Sequence, residues 1–221
     1  MKFAYIYLLI CVLDLVAGIY FPAGRLLTST FPAVSLLFLY INKLPRQHGL
    51  VLSGLTFGVL SSVLSSFYMT SLYNYILIAN TLMFITYGLY VYQFKEKAWA
   101  KTQILALIVP ICILISSAYW IMYQEISNIY IFLVFVITGL LFQYTGINFP
   151  RIRNKISKIA IGSLMIGVAK YLEALNVFEF KIELLHNMLL ILFYLGQYIL
   201  VTEIIKDALI YFNASKKISK L

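Results

Sequence analysis

Residues Ile159–Phe178 read IAIGSLMIGVAKYLEALNVF, an apolar segment about 20 residues long with Lys170 and Glu173 in its interior. A helix of about 20 residues spans the ~30 Å hydrocarbon core of a bilayer. A charged side chain at the centre of such a helix costs at least ~2.5–3.5 kcal/mol, so it faces a partner or a watery cavity. The segment therefore predicts a membrane-spanning helix in a bundle and indicates a polar site at the level of Lys170.

The rest of the chain has the same character. Its 221 residues are 62% hydrophobic and 11% charged, whereas a soluble domain carries about 25% charged residues. The apolar residues fall in eight blocks of near-membrane length, joined by short connections. This pattern predicts one all-α domain, residues 1–221, folded as a polytopic membrane bundle of eight transmembrane helices. The blocks are roughly Phe3–Phe21, Leu26–Ile41, Gly49–Phe67, Tyr73–Phe94, Ile104–Trp120, Ile129–Tyr144, Ile159–Phe178 and Leu184–Ile205.

The basic residues are distributed unequally between the two ends of these blocks. Of the 17 Lys and Arg residues, only Arg25 and Lys181 fall at one end, and Lys170 lies within a block. Cytoplasmic loops of membrane proteins carry an excess of Lys and Arg, so we expect both termini in the cytoplasm. The location that we expect for the whole chain is a bacterial inner membrane. The excess is carried by Lys2, Lys43, Arg46, Lys95, Lys97, Lys101, Arg151, Arg153, Lys155, Lys158, Lys206, Lys216, Lys217 and Lys220.

Four polar residues are predicted to share one layer of the bundle. Asp14 and Lys170 each lie about 11 residues into an outgoing block, Ser62 about 12 residues into another, and Asn80 at a matching depth on a returning block. At ~1.5 Å per residue these positions fall slightly outside the midplane. The pattern predicts a shared polar pocket in which Asp14 is a counter-ion for Lys170. Glu173 reaches the same ammonium along its own helix face, at i+3.

Each of these features also has a purely structural interpretation. A buried ion pair at Lys170 can fix helix register without binding anything. Gly54 and Gly58 form a GxxxG motif in a stripe of small residues, which is typical of close helix packing. His186, near the outer end of the eighth block, either lines the mouth of the pocket or lies at the membrane interface.

Five segments, in order along the chain, resemble the lysoplasmalogenase-like (YhhN-type) family of eight-helix membrane proteins. Gly54–Leu64 is similar to the family pattern Ala-Leu-x-Phe-Ser-x-x-Gly-Asp-x-Leu, and Ala160–Phe178 to Gly-Ala-x-x-Phe-x-x-Ser-Asp-x-x-Leu-Ala. The other three segments are Thr30–Ala33, Tyr87–Phe94 and Tyr194–Gln197. The likeness covers roughly two thirds of the chain.

The resemblance implies hydrolysis of the vinyl ether bond of lysoplasmalogen, which releases a fatty aldehyde and a glycerophospho-alcohol. The two acidic positions that the family holds to be catalytic fall on Ser62 and Lys170. A serine does not protonate the enol-ether carbon at neutral pH, and a lysine repels the oxocarbenium ion that follows. We therefore expect a lipid-binding protein that has lost or nearly lost the family activity. If it is active, it is an ether hydrolase in which Asp14 and Glu173 supply the carboxyl groups.

The expected partner is a single-chain membrane lipid such as a lysophospholipid, and no cofactor, metal or nucleic acid is predicted. An alternative is a small proton- or ion-coupled transporter that uses Asp14, Lys170 and Glu173, because ionisable groups at this depth mark proton and ion pathways. The predicted pocket consists of Asp14, Ser62, Asn80, Tyr87, Tyr90, Lys170, Glu173, Tyr194 and Gln197.

Overall fold

The computed structural model describes residues 2–21, 28–45, 47–66, 72–93, 108–123, 129–147, 158–176 and 183–218. Within these residues the chain is all-helical. The helices are α1 (Lys2–Tyr20), α2 (Phe31–Lys43), α3 (Gly49–Ser66), α4 (Tyr73–Tyr92), α5 (Ile108–Tyr123), α6 (Ile129–Ile147), α7 (Lys158–Leu175) and α8 (Glu183–Ile218).

Each predicted apolar block overlaps one of these helices, so the all-α prediction is confirmed. The start of α2 has a local cause, because Pro32 lies in its first turn, where a fixed φ and a missing N–H are both tolerated. The largest departure from the predicted bounds is at the other end of the chain. There α8 continues to Ile218, beyond the block that ends at Ile205.

The helices pack in an order that differs from their order along the chain. Contacts join α1 to α2, α2 to α3, α3 to α4, α4 to α6, α6 to α7, α7 to α8, and α8 back to α1 and α2. The fifth helix packs against α6 and α7. This arrangement brings α1, α2, α3, α7 and α8, which carry most of the predicted polar layer, to one side of the bundle.

Polarity is inverted relative to a soluble protein. Phe38, Ile115 and Leu141 are 67%, 65% and 58% exposed, whereas Asp14 is 0% and Lys170 is 2% exposed. Monomeric soluble proteins rarely expose large contiguous apolar patches, and they almost never bury a lysine fully unless it is paired. The exterior of this bundle is therefore suited to hydrocarbon, and its polar groups are kept inside.

Among the residues that the structure describes, four helices are long and apolar enough to cross a membrane, over Phe3–Tyr20, Tyr73–Tyr92, Ile129–Ile147 and Leu185–Ile210. They belong to α1, α4, α6 and α8. By contrast, α2 has 13 residues and reaches only about 20 Å, which is less than the ~30 Å core of a bilayer. Membrane association therefore follows from the long helices.

The last two helices touch backbone to backbone. A Cβ atom added at Gly162 would lie 2.9 Å from the carbonyl oxygen of Gly196 and 2.9 Å from the amide nitrogen of Leu200. A Cβ added at Gly196 would lie 2.9 Å from the Cβ of Met165. Small residues at such crossings let membrane helices approach closely, so these two glycines set the spacing of α7 and α8.

Candidate functional site

The ammonium of Lys170 is held by groups on two helices. Its Nζ lies 2.8 Å from Oε2 of Glu173, one turn further along α7, and 4.0 Å from the centre of the Phe193 ring on α8. The other carboxylate oxygen of Glu173 lies 3.9 Å from Nδ1 of His186. All three ionisable side chains are buried, so the charge of Lys170 is compensated at its own depth, as membrane burial requires.

Asp14 is bound by hydroxyl groups. Thr28 Oγ1 donates to its Oδ1 at 2.8 Å, and the Tyr194 hydroxyl donates to its Oδ2 at 2.9 Å. Tyr194 also lies 3.3 Å from the carbonyl oxygen of Ser29. The prediction that Asp14 is the counter-ion of Lys170 is wrong within the described residues, because Glu173 is the salt-bridge partner there. The physical reason is proximity, since an i+3 carboxylate on the same helix is always within reach.

A small cavity connects these two groups. It is lined by Ser29, Ser62, Ser65, Lys170, His186, Leu190 and Tyr194. Its volume is about 10 Å³, which is about the space that one water molecule needs. The lining side chains come from α3, α7, α8 and the residues just before α2. Three residues of the predicted site, Ser62, Lys170 and Tyr194, thus meet at this cavity. Asp14 and Glu173 each lie one hydrogen bond away from it.

Two further predicted residues are bonded elsewhere in the bundle. Asn80 Oδ1 accepts a hydrogen bond from Ser61 at 2.8 Å, which joins α4 to α3. Gln197 Nε2 lies 3.4 Å from the sulfur of Met83 and would lie 2.8 Å from a Cβ at Gly58. Neither Asn80 nor Gln197 lines the cavity. Their contacts support helix packing.

The two tyrosines from the fourth block lie away from the cavity. Tyr87 is fully buried against Gly54, where an added Cβ would be 2.7 Å from its ring, and it stacks on Phe142 at 6.0 Å. Tyr90 packs edge-on against His48 at 4.9 Å, in the connection between α2 and α3. The small-residue stripe of α3 therefore serves packing at Gly54 and Gly58, as its structural interpretation held. Tyr87 and Tyr90 contribute to that packing rather than to the cavity lining.

Sequence reasoning missed the hydroxyl groups before α2. Thr28 binds Asp14, and Ser29 lines the cavity. A signal was present, because residues 28–30 read Thr-Ser-Thr just before the proline of an apolar block. Consecutive hydroxyl residues just before a helix are typical of capping. The sequence pattern therefore does not indicate that one of them binds a distant carboxylate. His186 does line the cavity, as one of its two interpretations proposed.

The arrangement combines a cation, two carboxylates and several hydroxyl groups around a space of molecular-water size. Such a set can orient a hydrogen-bond acceptor or move a proton between fixed groups. No protein-family model, curated protein or solved structure matches the chain. The resemblance described above therefore rests on its sequence segments alone.

Proposed function

We propose that this chain is an integral membrane protein with eight membrane-spanning helices and both termini in the cytoplasm of a bacterial cell. The apolar exterior and the four long apolar helices support membrane insertion. The clustering of Lys and Arg at one end of the predicted spans supports the orientation. Single cysteines placed at residues 46, 97 and 25 test this orientation. We expect the first two to be labelled only from the cytoplasmic side and the third only from the outside. Labelling of all three from one side would refute it.

The proposed function is binding of the polar head of a single-chain membrane lipid at the cavity beside Lys170, without hydrolysis. One observation carries this proposal. Ser62 and Lys170, the two positions that the resemblance assigns to catalytic acids, line the same cavity although they are far apart in sequence and lie on different helices. Neither residue supplies the acid that vinyl ether hydrolysis needs, because carbon protonation requires a carboxyl group in direct reach.

The chemistry of the cavity favours an anionic head group. Lys170 offers charged N–H donors, and the hydroxyl groups of Ser29 and Ser65 have no hydrogen-bond partner in the described part of the chain. A phosphate oxygen accepts hydrogen bonds from both kinds of donor, the ammonium and the hydroxyl groups. The cavity holds about 10 Å³, so a single oxygen atom fits and a whole head group enters only when the lining helices separate.

The test is binding of a lysophospholipid to the purified protein, measured by native mass spectrometry alongside an assay for released aldehyde. The variant is Lys170→Met combined with Glu173→Gln, which removes the cation without stranding the carboxylate. We expect it to lose binding, while Lys206→Met, at an exposed pair on α8, retains it. Wild-type protein releases no aldehyde from lysoplasmalogen in this proposal. Release of aldehyde by the wild-type protein at the same rate as by the Ser62→Asp/Lys170→Asp variant would overturn the proposal.

A second candidate is proton- or ion-coupled transport through Asp14, Lys170 and Glu173. The observation that favours it is the burial of these groups on two helices around a space that fits water better than lipid. Flux into liposomes that follows an imposed pH gradient and is lost in Asp14→Asn would support it. Asp207→Asn, a carboxyl change near the end of the last span, is the matched control. Equal flux in liposomes without protein would exclude this function.

A further inference from the structure

The cavity beside Lys170 is lined by polar groups whose hydrogen-bonding capacity is not met by protein. Among the described residues, Ser29 Oγ and Ser65 Oγ have no partner, and Ser29 is only 4% exposed. The Lys170 ammonium carries three N–H donors, of which one is directed to Glu173. Buried polar groups of this kind are normally satisfied by ordered water. A volume of about 10 Å³ fits one such molecule and leaves no space for a second.

The same cavity is lined by Tyr194, whose hydroxyl donates to Asp14 at 2.9 Å. A water molecule in this cavity would be able to accept a hydrogen bond from the Lys170 ammonium and to donate one to the oxygen of Tyr194, because both side chains line it. We propose that Lys170, this water, Tyr194 and Asp14 form a proton relay that crosses the bundle from α7 to α1. The Tyr194 hydroxyl is directed at Asp14, and in the proposed relay Lys170 and the water donate in that same direction. This alignment is the geometry that stepwise proton transfer needs.

The transfer is balanced without any further reactant. An N–H bond of Lys170 breaks as the water takes its proton, and the water passes one of its own protons to the oxygen of Tyr194. Tyr194 gives its phenolic proton to Oδ2 of Asp14. One proton has then moved from Lys170 to Asp14, which leaves a neutral amine and a carboxylic acid, and the reverse sequence restores the starting state. The end state leaves the buried Glu173 carboxylate without its cation and with His186 at 3.9 Å as its other neighbour, so the starting state is the one that pairing favours.

Several other groups face the relay. At the Lys170 end these are Glu173, at 2.8 Å, and His186, which lies 3.9 Å from Glu173. The hydroxyl of Tyr73 on α4 binds the neighbouring carbonyl of Ala174. At the Asp14 end, Thr28 donates to Oδ1, the carboxylate oxygen that does not accept from Tyr194. Cys11 lies buried one turn earlier on α1. The relay rests on the contacts around the cavity and needs the cavity to hold water, because the volume of about 10 Å³ has no room for a lipid oxygen as well.

Proton arrival at Asp14 tests the relay directly. The full chain is placed in lipid nanodiscs, and protons are released by a light flash from a caged acid. Infrared absorption of the protonated carboxyl group, assigned by its loss in Asp14→Asn, reports the transfer. Tyr194→Phe keeps the ring and removes the hydroxyl, so we expect the rate to fall about 10²-fold, the low end of what a positioned proton donor contributes. Tyr198→Phe, one turn further on α8 and stacked on Tyr7 at 5.0 Å, leaves the rate unchanged. Equal rates in wild type and Tyr194→Phe would overturn the relay.

The water itself is tested without any relay variant. Repeating the measurement on wild-type protein in ¹⁸O-labelled water shifts the O–H band of an internal water that takes part in the transfer. We expect one shifted band, which disappears in Ser65→Val because the larger side chain fills the cavity. Ser53→Val on the same helix keeps it. Absence of a shifted band in wild-type protein would remove the central step of the proposal, and it would leave lipid binding as a separate question.

Discussion

At the scale of single residues, the bonding partner of a charged group is predictable only where that partner lies close to it along the chain. Glu173 is three residues from Lys170 and pairs with it at 2.8 Å, and this contact was predictable because i and i+3 lie on one helix face. The partners of Asp14 were not predictable, since Tyr194 is 180 residues away. That contact depends on how α1 and α8 pack, which no local pattern encodes.

The Lys170–Glu173 pair gives the first prediction. Lys170→Met leaves the Glu173 carboxylate buried without its cation, and we expect a loss of about 3–5 kcal/mol in the free energy of unfolding. Adding Glu173→Gln removes the stranded charge and recovers most of that loss. Lys206→Met breaks an exposed pair of the same i,i+3 spacing and costs about 0–1 kcal/mol. Unfolding in mixed micelles measures all three. A single variant as stable as the double variant would show that the pair is unimportant.

The hydroxyl groups around Asp14 give the second prediction. Tyr194→Phe and Thr28→Val each remove one donor to the same carboxylate, and each should lower the unfolding free energy by about 1.5–3 kcal/mol. Because both hydroxyl groups bind one buried charge, the double variant should lose more unfolding free energy than the two single variants lose together. The check is a double-mutant cycle by denaturant unfolding. Strict additivity would mean that the two hydroxyls do not share a carboxylate.

At the scale of helices, apolar block length was a good guide to where helices lie and a poor guide to how they pack. Each block overlaps one helix, because about 20 consecutive apolar residues in a chain without soluble domains have few other solutions. The packing of α4 on α6, and of α5 on the outside of α6 and α7, depends on side-chain shape rather than hydropathy. For this reason the sequence pattern predicts Tyr87 and Tyr90 in the pocket, whereas in the structure they pack near Gly54 and His48.

The contact between α7 and α8 gives the third prediction. In Gly162→Ala the new Cβ would meet backbone atoms of α8 at 2.9 Å, and backbone cannot rotate away as a side chain can. We expect a loss of about 1–3 kcal/mol, as for other overpacked interiors. Gly49→Ala is the control, since nothing lies within 4 Å of its added Cβ, and it should stay within about 0.5 kcal/mol of wild type. The measurement is thermal unfolding in detergent, and equal stabilities would contradict the backbone contact.

At the scale of the whole molecule, the inverted polarity determines which solvent the protein tolerates. Ile137 is 51% exposed near the middle of α6, and Ile210 is 60% exposed at the end of the last long apolar stretch. If these positions faced water, replacing either isoleucine by lysine would cost little free energy. In a bilayer, the cost depends on depth, because a charge at the centre is far from the head groups.

This dependence on depth gives the fourth prediction. Ile137→Lys should reduce membrane insertion by a free energy of about 2.5–3.5 kcal/mol, whereas Ile210→Lys should insert almost normally, since a lysine near the interface reaches the head groups. A glycosylation-based insertion assay on the two helices compares them. If both variants insert equally well, α6 does not face lipid at Ile137.

The glycine contact between α7 and α8 also restricts which helices of the bundle can move apart. Because a Cβ added at Gly162 would lie only 2.9 Å from the carbonyl oxygen of Gly196, we expect these two closely packed helices to move together and to carry Lys170, His186 and Tyr194 with them. We therefore expect any molecule larger than one atom to enter on the other side of the cavity, which is formed by α3 and Ser29. Crosslinks from α3 to the helix pair, rather than within the pair, should then prevent entry.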